Sequence, residues 1–182
     1  MKDTYKSNIN LRFVIAFINE AKPLIKFYRL KLILNQEHPY EIYSNQKDNN
    51  WLIISGIGNI NTASATSYLY AESSKDRKNV WINIGIAGHN NLPIGSIYNI
   101  KKISRANNEK NAFYTNSIIN EIMETYEILN VDNPEKTFSE KNKIYEMEAF
   151  GFIKIVEKFC DRELICVMKV ISDHGEQQIN DI

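Results

Sequence analysis

The sequence has little cysteine, no long apolar run and no surplus of charge of either sign. Its 182 residues include two cysteines, Cys160 and Cys166, and neither has a metal-ligating residue at a useful spacing. Two cysteines in a chain of this size do not make a disulfide scaffold, so we expect buried structural thiols and no metal site. Basic and acidic residues balance at 22 each, which argues against a nucleic-acid-binding protein with a broad basic surface.

Targeting and membrane-spanning patterns are missing as well. No positively charged start is followed by an apolar signal core, and no apolar run reaches the roughly 18 residues that a membrane helix needs. Apolar residues nevertheless make up 43% of the chain, enough for one domain with a sizeable core. We therefore expect a soluble, cytoplasmic protein without a membrane partner.

Short apolar segments alternate with segments of helical periodicity, which is typical of an α/β domain. This alternation predicts one domain over residues 11–182, preceded by a loose stretch of residues 1–10. Strands are predicted at Leu11–Ala16, Lys31–Leu34, Tyr40–Tyr43, Trp51–Ile54, Val80–Ile84, Ser96–Ile103, Ile128–Val131 and Leu164–Ile171. Helices are predicted at Glu20–Tyr28, with Asn19 as its cap, and at Asn61–Ser73, Phe113–Tyr126 and Tyr145–Phe159.

Glycine is concentrated in one part of the chain. Five of the seven glycines lie between residues 56 and 95, and the segments Ser55–Gly58 and Gly85–Gly88 each follow a predicted buried strand. In an open α/β sheet, ligands bind beyond the carboxyl ends of strands, and glycine lets the backbone approach them closely. Either segment alone is equally consistent with a plain tight turn. Neither matches a nucleotide-binding glycine motif, so no cofactor is expected.

Charged residues interrupt two apolar segments. Glu146 and Glu148 flank Met147 at the start of the last predicted helix, where carboxylates can simply stabilise the helix dipole. If Glu148 is buried, however, it needs a partner such as a ligand hydroxyl. Lys169 interrupts the last predicted strand and Asp173 follows it, and a lysine on a buried strand is costly unless it is paired or beside a cavity. The alternative is a strand-end charge in solvent, with Asp173 capping a following helix.

Taken in order, these segments resemble the nucleoside phosphorylase and methylthioadenosine/S-adenosylhomocysteine nucleosidase superfamily. The resemblance runs from about residue 11 to the end of the chain. It implies a three-layer α/β/α sandwich with a mixed central sheet, and a homodimer. The segments that carry it are Phe13–Glu20 (the opening strand and its glutamate), Ser55–Asn59 (an SGIGK-type turn), Ile82–Gly88 (INxGxAG), Ile94–Ile97 (IGD), Tyr145–Phe150 (EMEA), and Val167–Asp173 with Glu176–Gln178 (VxRxISD and DQQ).

The resemblance implies a purine nucleosidase that hydrolyses the N-glycosidic bond of a methylthioadenosine- or S-adenosylhomocysteine-like nucleoside. Glu148 would hold the ribose hydroxyls, and Met147 would pack beneath the ribose. Asp173, kept partly buried, would protonate a purine ring nitrogen and so improve the leaving group. Glu20 would orient or deprotonate the attacking water, and Lys169 takes the place of the arginine that nucleosidases usually have near that water.

Gly58 and Ser172 complete the substrate-binding set that the resemblance implies. Ile86 also belongs to it, but it stands where relatives often have a serine or threonine that contacts the nucleophile, and its side chain cannot donate a hydrogen bond. Asn59 replaces a common lysine. Phe138 is the candidate, by position, for the aromatic residue that stacks on the base.

Two alternatives remain open on the sequence. The first is a phosphate-dependent purine nucleoside phosphorylase, which Ile86 weakens because phosphate needs several hydrogen-bond donors. The second is a catalytically degenerate nucleoside-binding or storage protein. The chain ends at Ile182, shortly after the Asp173 motif, where relatives continue into another helix, so the expected domain lacks the last helix of the family.

Overall fold

A computed structural model describes residues 9–34, 38–106 and 108–175, and shows a mixed α/β fold built around a central sheet. The described helices are α1 (Ile18–Phe27), α2 (Asn59–Glu72) and α3 (Ala149–Val156), with 3-10 turns at Ile118–Glu121 and Arg162–Leu164. The described strands are β1 (Leu11–Ile15), β2 (Lys31–Leu34), β3 (Ile42–Asn45), β4 (Asn50–Ile54), β5 (Val80–Gly88), β6 (Ile97–Arg105), β7 (Asn108–Tyr114), β8 (Thr125–Asn130), β9 (Lys143–Glu146) and β10 (Ile165–Asp173).

The centre of the sheet is parallel and its periphery is mixed. Strand β1 lies between β4 and β5 and is parallel to both, and β10 is parallel to β5. On the far side of β10, β6 runs antiparallel to it and leads through β8 and β9 back to the end of β5. The sheet therefore closes on itself at this end, while β3 and β2 extend the opposite edge. The carboxyl ends of β1, β5 and β10 meet at one edge.

Two hydrophobic clusters hold the helices to the sheet. Phe13 and Ile15 of β1 pack in one cluster with Ala21 of α1. Val14, which points to the other side of the strand, packs in the second cluster with residues of α2 and α3, among them Leu69. The alternation of side chains along β1 thus places one helix on one cluster and two helices on the other.

The sequence correctly predicts most elements within one or two residues at each end, including α1, α2 and six strands. Strand β5 continues beyond its predicted end at Ile84 to Gly88, and β8 begins at Thr125, before its predicted start at Ile128. Both cysteines are buried and unpaired, as expected, and burial raises the pKa of the Cys160 thiol to about 12. The predicted cap of α1 is wrong, because the helix begins after Phe17 and not after Asn19. The Asn19 side chain instead accepts a hydrogen bond from Lys22 at 2.8 Å.

The predicted helix Phe113–Tyr126 is wrong. This segment contains the end of β7, a 3-10 turn and the start of β8. Phe113 pairs with Ile103 of β6, and its ring lies 5.3 Å from that of Phe150. An apolar run of this length is compatible with either helix or strand, and pairing to β6 decides between them.

The predicted helix Tyr145–Phe159 begins too early and ends too late. Tyr145 and Glu146 belong to β9, and the helix starts at Ala149. Strand pairing of Tyr145 with both Leu129 and Gly88 holds this stretch extended. The carboxylates of residues 146 and 148 therefore precede the helix and do not form its first turn.

The Gly85–Gly88 segment, expected to be a turn, continues strand β5. It stays paired with β10 through to Asp173. A side chain at Gly88 would collide with the Phe138 ring at 2.2 Å, so glycine is required here by a close side-chain contact and not by a turn. Within the described ranges, none of the helices has the length and hydrophobicity to span a bilayer.

Candidate active site

A pocket of about 250 Å³ lies at the edge of the sheet where the carboxyl ends of β1, β5 and β10 meet. Six of the eight residues expected at a site line it: Glu20, Ile86, Met147, Glu148, Ser172 and Asp173. The other two, Gly58 and Lys169, lie directly behind lining residues and bind them. Elements far apart in the chain thus bring the predicted residues together.

Glu20 is held in the first turn of α1 by two backbone donors. Its Oε2 accepts the Phe17 N–H at 3.0 Å, which closes the first turn of the helix. Its Oε1 accepts the Ile86 N–H at 3.0 Å, across from β5. Ile86 therefore contributes a hydrogen-bond donor through its backbone, although its half-exposed side chain cannot. A Cβ at Gly85 would lie only 3.4 Å from the Glu20 carboxylate, so glycine lets the carboxylate lie against the strand.

Glu148 lies between β9 and α3, with its carboxylate against the turn that precedes α2. Its Oε1 accepts the Gly58 N–H at 3.0 Å. Gly58 has φ of +91°, a conformation that favours glycine and that aims this N–H at the carboxylate. Burial raises the pKa of Glu148, and the neighbouring Glu146 adds to the rise, while Lys169 opposes it.

Lys169 and Glu146 form a buried ion pair behind the pocket. The Nζ of Lys169 lies 2.9 Å from Oε2 of Glu146. Burial alone would raise the pKa of Glu146, but Lys169 and the hydrogen bond from Asn130 lower it below its usual value. Burial alone would lower the pKa of Lys169, but Glu146 and Glu148 raise it above its usual value. Of the alternatives that the sequence left open, Lys169 is thus buried and paired rather than a strand-end charge in solvent.

Asp173 ends β10 at an irregularity in its pairing with β5. Its Oδ1 accepts the Gly175 N–H at 2.9 Å, and its Oδ2 lies 2.7 Å from the Ser172 hydroxyl. That hydroxyl is also 3.2 Å from the carbonyl oxygen of Ala87. The Asp173 side chain is exposed, so the partial burial expected from the sequence is wrong. The Glu176–Gln178 motif lies outside the described residues.

The fold of the chain is similar to those of several solved structures. No protein-family model matches the sequence, and no curated protein matches it. The fold is similar to methylthioadenosine/S-adenosylhomocysteine nucleosidase from Neisseria meningitidis, with a TM-score of 0.71 and 17% identity over 92% of this chain and 87% of that chain. It is also similar to a futalosine hydrolase mutant of Helicobacter pylori, with a TM-score of 0.72 and 16% identity over 92% and 87% of the two chains.

A further similarity is to the nucleosidase of Chlamydia trachomatis, with a TM-score of 0.68 and 20% identity over 93% of this chain and 85% of that chain. The chain has the nucleosidase fold. At these identities the similarity establishes the fold alone.

The nucleosidase fold also brings to the pocket residues that the sequence argument did not single out as site residues. Val131 and Tyr145 cluster with Met147 and Phe138 along one wall. Phe138, which the sequence suggested only by position, lies over Gly88 with its ring centre 4.8 Å from that of Tyr145. Val131 and Phe138 lie outside helices and strands, and β9 is too short for its pattern to mark Tyr145, so the sequence gives no signal for these residues.

Among the described residues that line the pocket, the charged ones are all acidic. Glu20, Glu135, Glu146, Glu148 and Asp173 line the pocket, and among its lining residues in the described ranges there is no lysine or arginine. Lys169 is buried behind Glu146, with its Nζ 2.9 Å from Oε2 of that carboxylate. These acidic side chains favour a positive charge inside the pocket.

Proposed function

We propose that this protein is a purine nucleosidase that hydrolyses the N-glycosidic bond of a methylthioadenosine- or S-adenosylhomocysteine-like nucleoside. The observation that carries the proposal is the convergence of Glu20, Met147, Glu148 and Asp173 on one pocket at the carboxyl ends of the strands. The similarity to solved nucleosidases supports it, because the pocket lies in a fold on which this chemistry is known to occur.

The reaction would be dissociative, with positive charge developing on the ribose as the bond to the base breaks. Glu148 is positioned to accept hydrogen bonds from the ribose hydroxyls with the oxygen that does not bind Gly58. Such bonds strengthen as the sugar becomes cationic, which is selective stabilisation of the transition state. Met147 lies beside Glu148 and offers the ribose an apolar surface.

Glu20 would orient the attacking water and accept its proton. Two backbone N–H groups fix the carboxylate, so it is oriented before the substrate binds and costs little reorganisation during the reaction. Each of its oxygens keeps a further lone pair for the water. Lys169, whose Nζ would lie 3.7 Å from a Cβ at Gly85, adds a positive charge close to the same place.

Asp173 would donate a proton to the purine ring. General acid catalysis of this kind contributes roughly 10²–10⁴-fold to the rate. The Ser172 hydroxyl suits both protonation states of this carboxyl group. It can accept from the protonated acid while it donates to the Ala87 carbonyl, and it can donate to the carboxylate once the proton has left.

Water is favoured over phosphate as the nucleophile by the charges of the pocket. A phosphorylase must bind a dianion, yet the lining residues within the described ranges include five carboxylates and no lysine or arginine. Phosphate would be repelled at such a site and would lack cationic donors. The hydrolase is therefore the better-supported of the two reactions.

The direct test is to incubate the purified protein with methylthioadenosine and with S-adenosylhomocysteine, and to measure free adenine by chromatography. We expect adenine release without phosphate and no ribose 1-phosphate when phosphate is added. Release only in the presence of phosphate would replace the hydrolase with a phosphorylase. Calorimetric binding without turnover would instead support the degenerate binding protein.

The proposal also includes finer features that the resemblance implies: a single domain with a three-layer α/β/α arrangement, a cytoplasmic location and a homodimer. Exposed apolar side chains beside the pocket, at Ile57, Ile60 and Ile86, support the dimer because burying them would be favourable. Analytical ultracentrifugation of the purified protein tests it, and a monomer at micromolar concentration would contradict it.

A further inference from the structure

Behind the pocket, a chain of two amide side chains, the partly buried Asn59 and the buried Asn130, connects the start of α2 with the Glu146 carboxylate. The Gly151 N–H donates to Oδ1 of Asn59 at 2.9 Å. The Nδ2 of Asn59 donates to Oδ1 of Asn130 at 2.7 Å, and the Nδ2 of Asn130 donates to Oε1 of Glu146 at 2.7 Å. Neither asparagine lines the pocket. These links join residues that are 16 to 92 positions apart in sequence.

The direction of this chain is fixed from end to end. A backbone N–H can only donate, so Asn59 must present its oxygen to Gly151 and its NH₂ to Asn130. Asn130 must then present its own NH₂ to Glu146. The other carboxylate oxygen of Glu146 accepts from Lys169 and from the N–H groups of Glu148 and Ala149. Every described partner of Glu146 is a donor, so the network is built for the ionised carboxylate.

We propose that Asn130, anchored by Asn59, is a positioning residue for the hydrolysis proposed above, because it fixes the Glu146 carboxylate that in turn fixes Lys169 and Glu148. The inference rests on the proposed function for its catalytic consequence. Glu146 holds Glu148 through the backbone N–H at 3.0 Å, and holds Lys169 through the ion pair at 2.9 Å. Without the hydrogen bond from Asn130, Oε1 of Glu146 is no longer held in place. Lys169 and Glu148 both depend on the position of this carboxylate.

Asparagine is well suited to position 130. Its side chain is 1% exposed and must accept at one end and donate at the other. An aspartate accepts at both ends when ionised, and a leucine does neither. A buried amide of this kind is costly unless both of its ends are satisfied, so its presence calls for a specific role. If position 130 served only for packing, an apolar side chain would fill it without the cost of burying a polar amide.

The test compares Asn130→Leu and Asn130→Asp with a matched control, Asn79→Asp. Asn79 is also 1% exposed and donates a single hydrogen bond, to the Ser74 carbonyl at 2.7 Å, but it lies just before β5 at the opposite end of that strand from the pocket. We expect all three variants to lose thermal stability. Only the two changes at Asn130 should lower kcat/KM for methylthioadenosine, by roughly 10–100-fold, because small misplacements of catalytic groups have effects of this size.

The pH profile separates a positioning role from a structural one. In Asn130→Asp, the introduced carboxyl group can again accept from Asn59 and donate to Glu146 once it is protonated. The activity of this variant relative to the wild type should therefore recover as the pH falls, whereas that of Asn130→Leu should not recover. Wild-type kcat/KM and pH profile in both Asn130 variants, with only the stability loss of the control, would overturn the inference.

A readout that does not need turnover keeps this inference separate from the proposed function. In protein labelled with ¹³C at glutamate carboxyl groups, the Glu146 signal should stay that of a carboxylate in the wild type and titrate at higher pH in Asn130→Leu. If the wild type releases no base but this shift occurs, the hydrolase proposal fails and the hold of Asn130 on Glu146 stands. An unchanged Glu146 titration in Asn130→Leu would overturn that hold, even in an active enzyme.

Discussion

Lys169 and Glu146 form an ion pair of 2.9 Å in which neither side chain is more than 1% exposed. Removing one partner of a buried pair leaves the other charge without compensation and costs about 3–5 kcal/mol. Lys169→Met is therefore expected to lower the free energy of unfolding by about that amount in chemical denaturation. The control is Arg77→Met, which breaks an exposed pair with Asp161 and should change the free energy of unfolding little, because solvent screens exposed pairs. Equal losses of unfolding free energy in the two variants would show that the buried pair of Lys169 stabilises the protein no more than the exposed pair of Arg77.

The same pair predicts how stability depends on acid. The pKa of Glu146 is lowered in the folded protein from its usual value of 4.5, because Lys169 and hydrogen bonds outweigh its burial. The ionised Glu146 therefore contributes fully to stability above about pH 4.5. This contribution is lost as the pH falls through its lower pKa in the folded protein. Wild-type stability should fall more steeply below pH 4.5 than that of Glu146→Gln, as measured by urea unfolding at a series of pH values. Parallel curves would refute the assignment.

A second pH effect is expected at His89. This side chain is buried, and its Nδ1 accepts the N–H groups of Asn91 at 3.2 Å and Leu92 at 3.1 Å. Nδ1 must therefore be unprotonated, and burial lowers the pKa of His89 from its usual 6.5. Its contribution to stability is full above pH 6.5 and is lost as the pH falls through the lower folded value. His89→Asn should be less stable at pH 8, and its stability should change less between pH 7 and pH 5 than that of the wild type.

Three of the pocket-lining carboxylates could be predicted from the sequence, whereas the asparagines that support the site could not. Glu20, Glu148 and Asp173 belong to motifs whose order along the chain resembles a known family. Asn130 and Asn59 support the same site, but nothing in the sequence indicates that they bind each other across 71 positions. Hydrogen bonds of this range exist only once the strands and helices have packed, so no local pattern reports them.

The errors in predicted elements have the same origin. The segment around Phe113 is apolar enough for either helix or strand, and its pairing with Ile103 makes it a strand. Gly85–Gly88 has the composition of a turn, but β10 runs beside it and keeps it extended. In both cases strand pairing overrides the local preference, and nothing within either segment specifies the strand with which it pairs.

Gly151 provides a test of the contact between α2 and α3. A Cβ at this position would lie 2.2 Å from the carbonyl oxygen of Asn59, where backbone faces backbone. Gly151→Ala should therefore destabilise the protein by about 1–3 kcal/mol or more, because neither helix can yield easily. This sign is opposite to the usual effect of alanine in a helix, which stabilises by roughly 0.5–1 kcal/mol. Thermal unfolding decides between them, and a more stable variant would contradict the close packing.

Asp173→Asn tests the proposed general acid. The side chain is exposed, and its partners among the described residues, Ser172 and Gly175, are local. The free energy of unfolding of the variant should therefore lie within about 0.5 kcal/mol of that of the wild type. An amide cannot supply the proton that the departing purine needs, so kcat should fall by roughly 10²–10⁴-fold. The binding of methylthioadenosine, measured by calorimetry on the inactive variant, should change much less than kcat, because the amide NH₂ can still donate a hydrogen bond to the purine ring nitrogen. Full activity in Asp173→Asn would remove the residue from the mechanism, and would direct the search for the acid to Glu148, a pocket carboxyl group whose pKa is raised by burial.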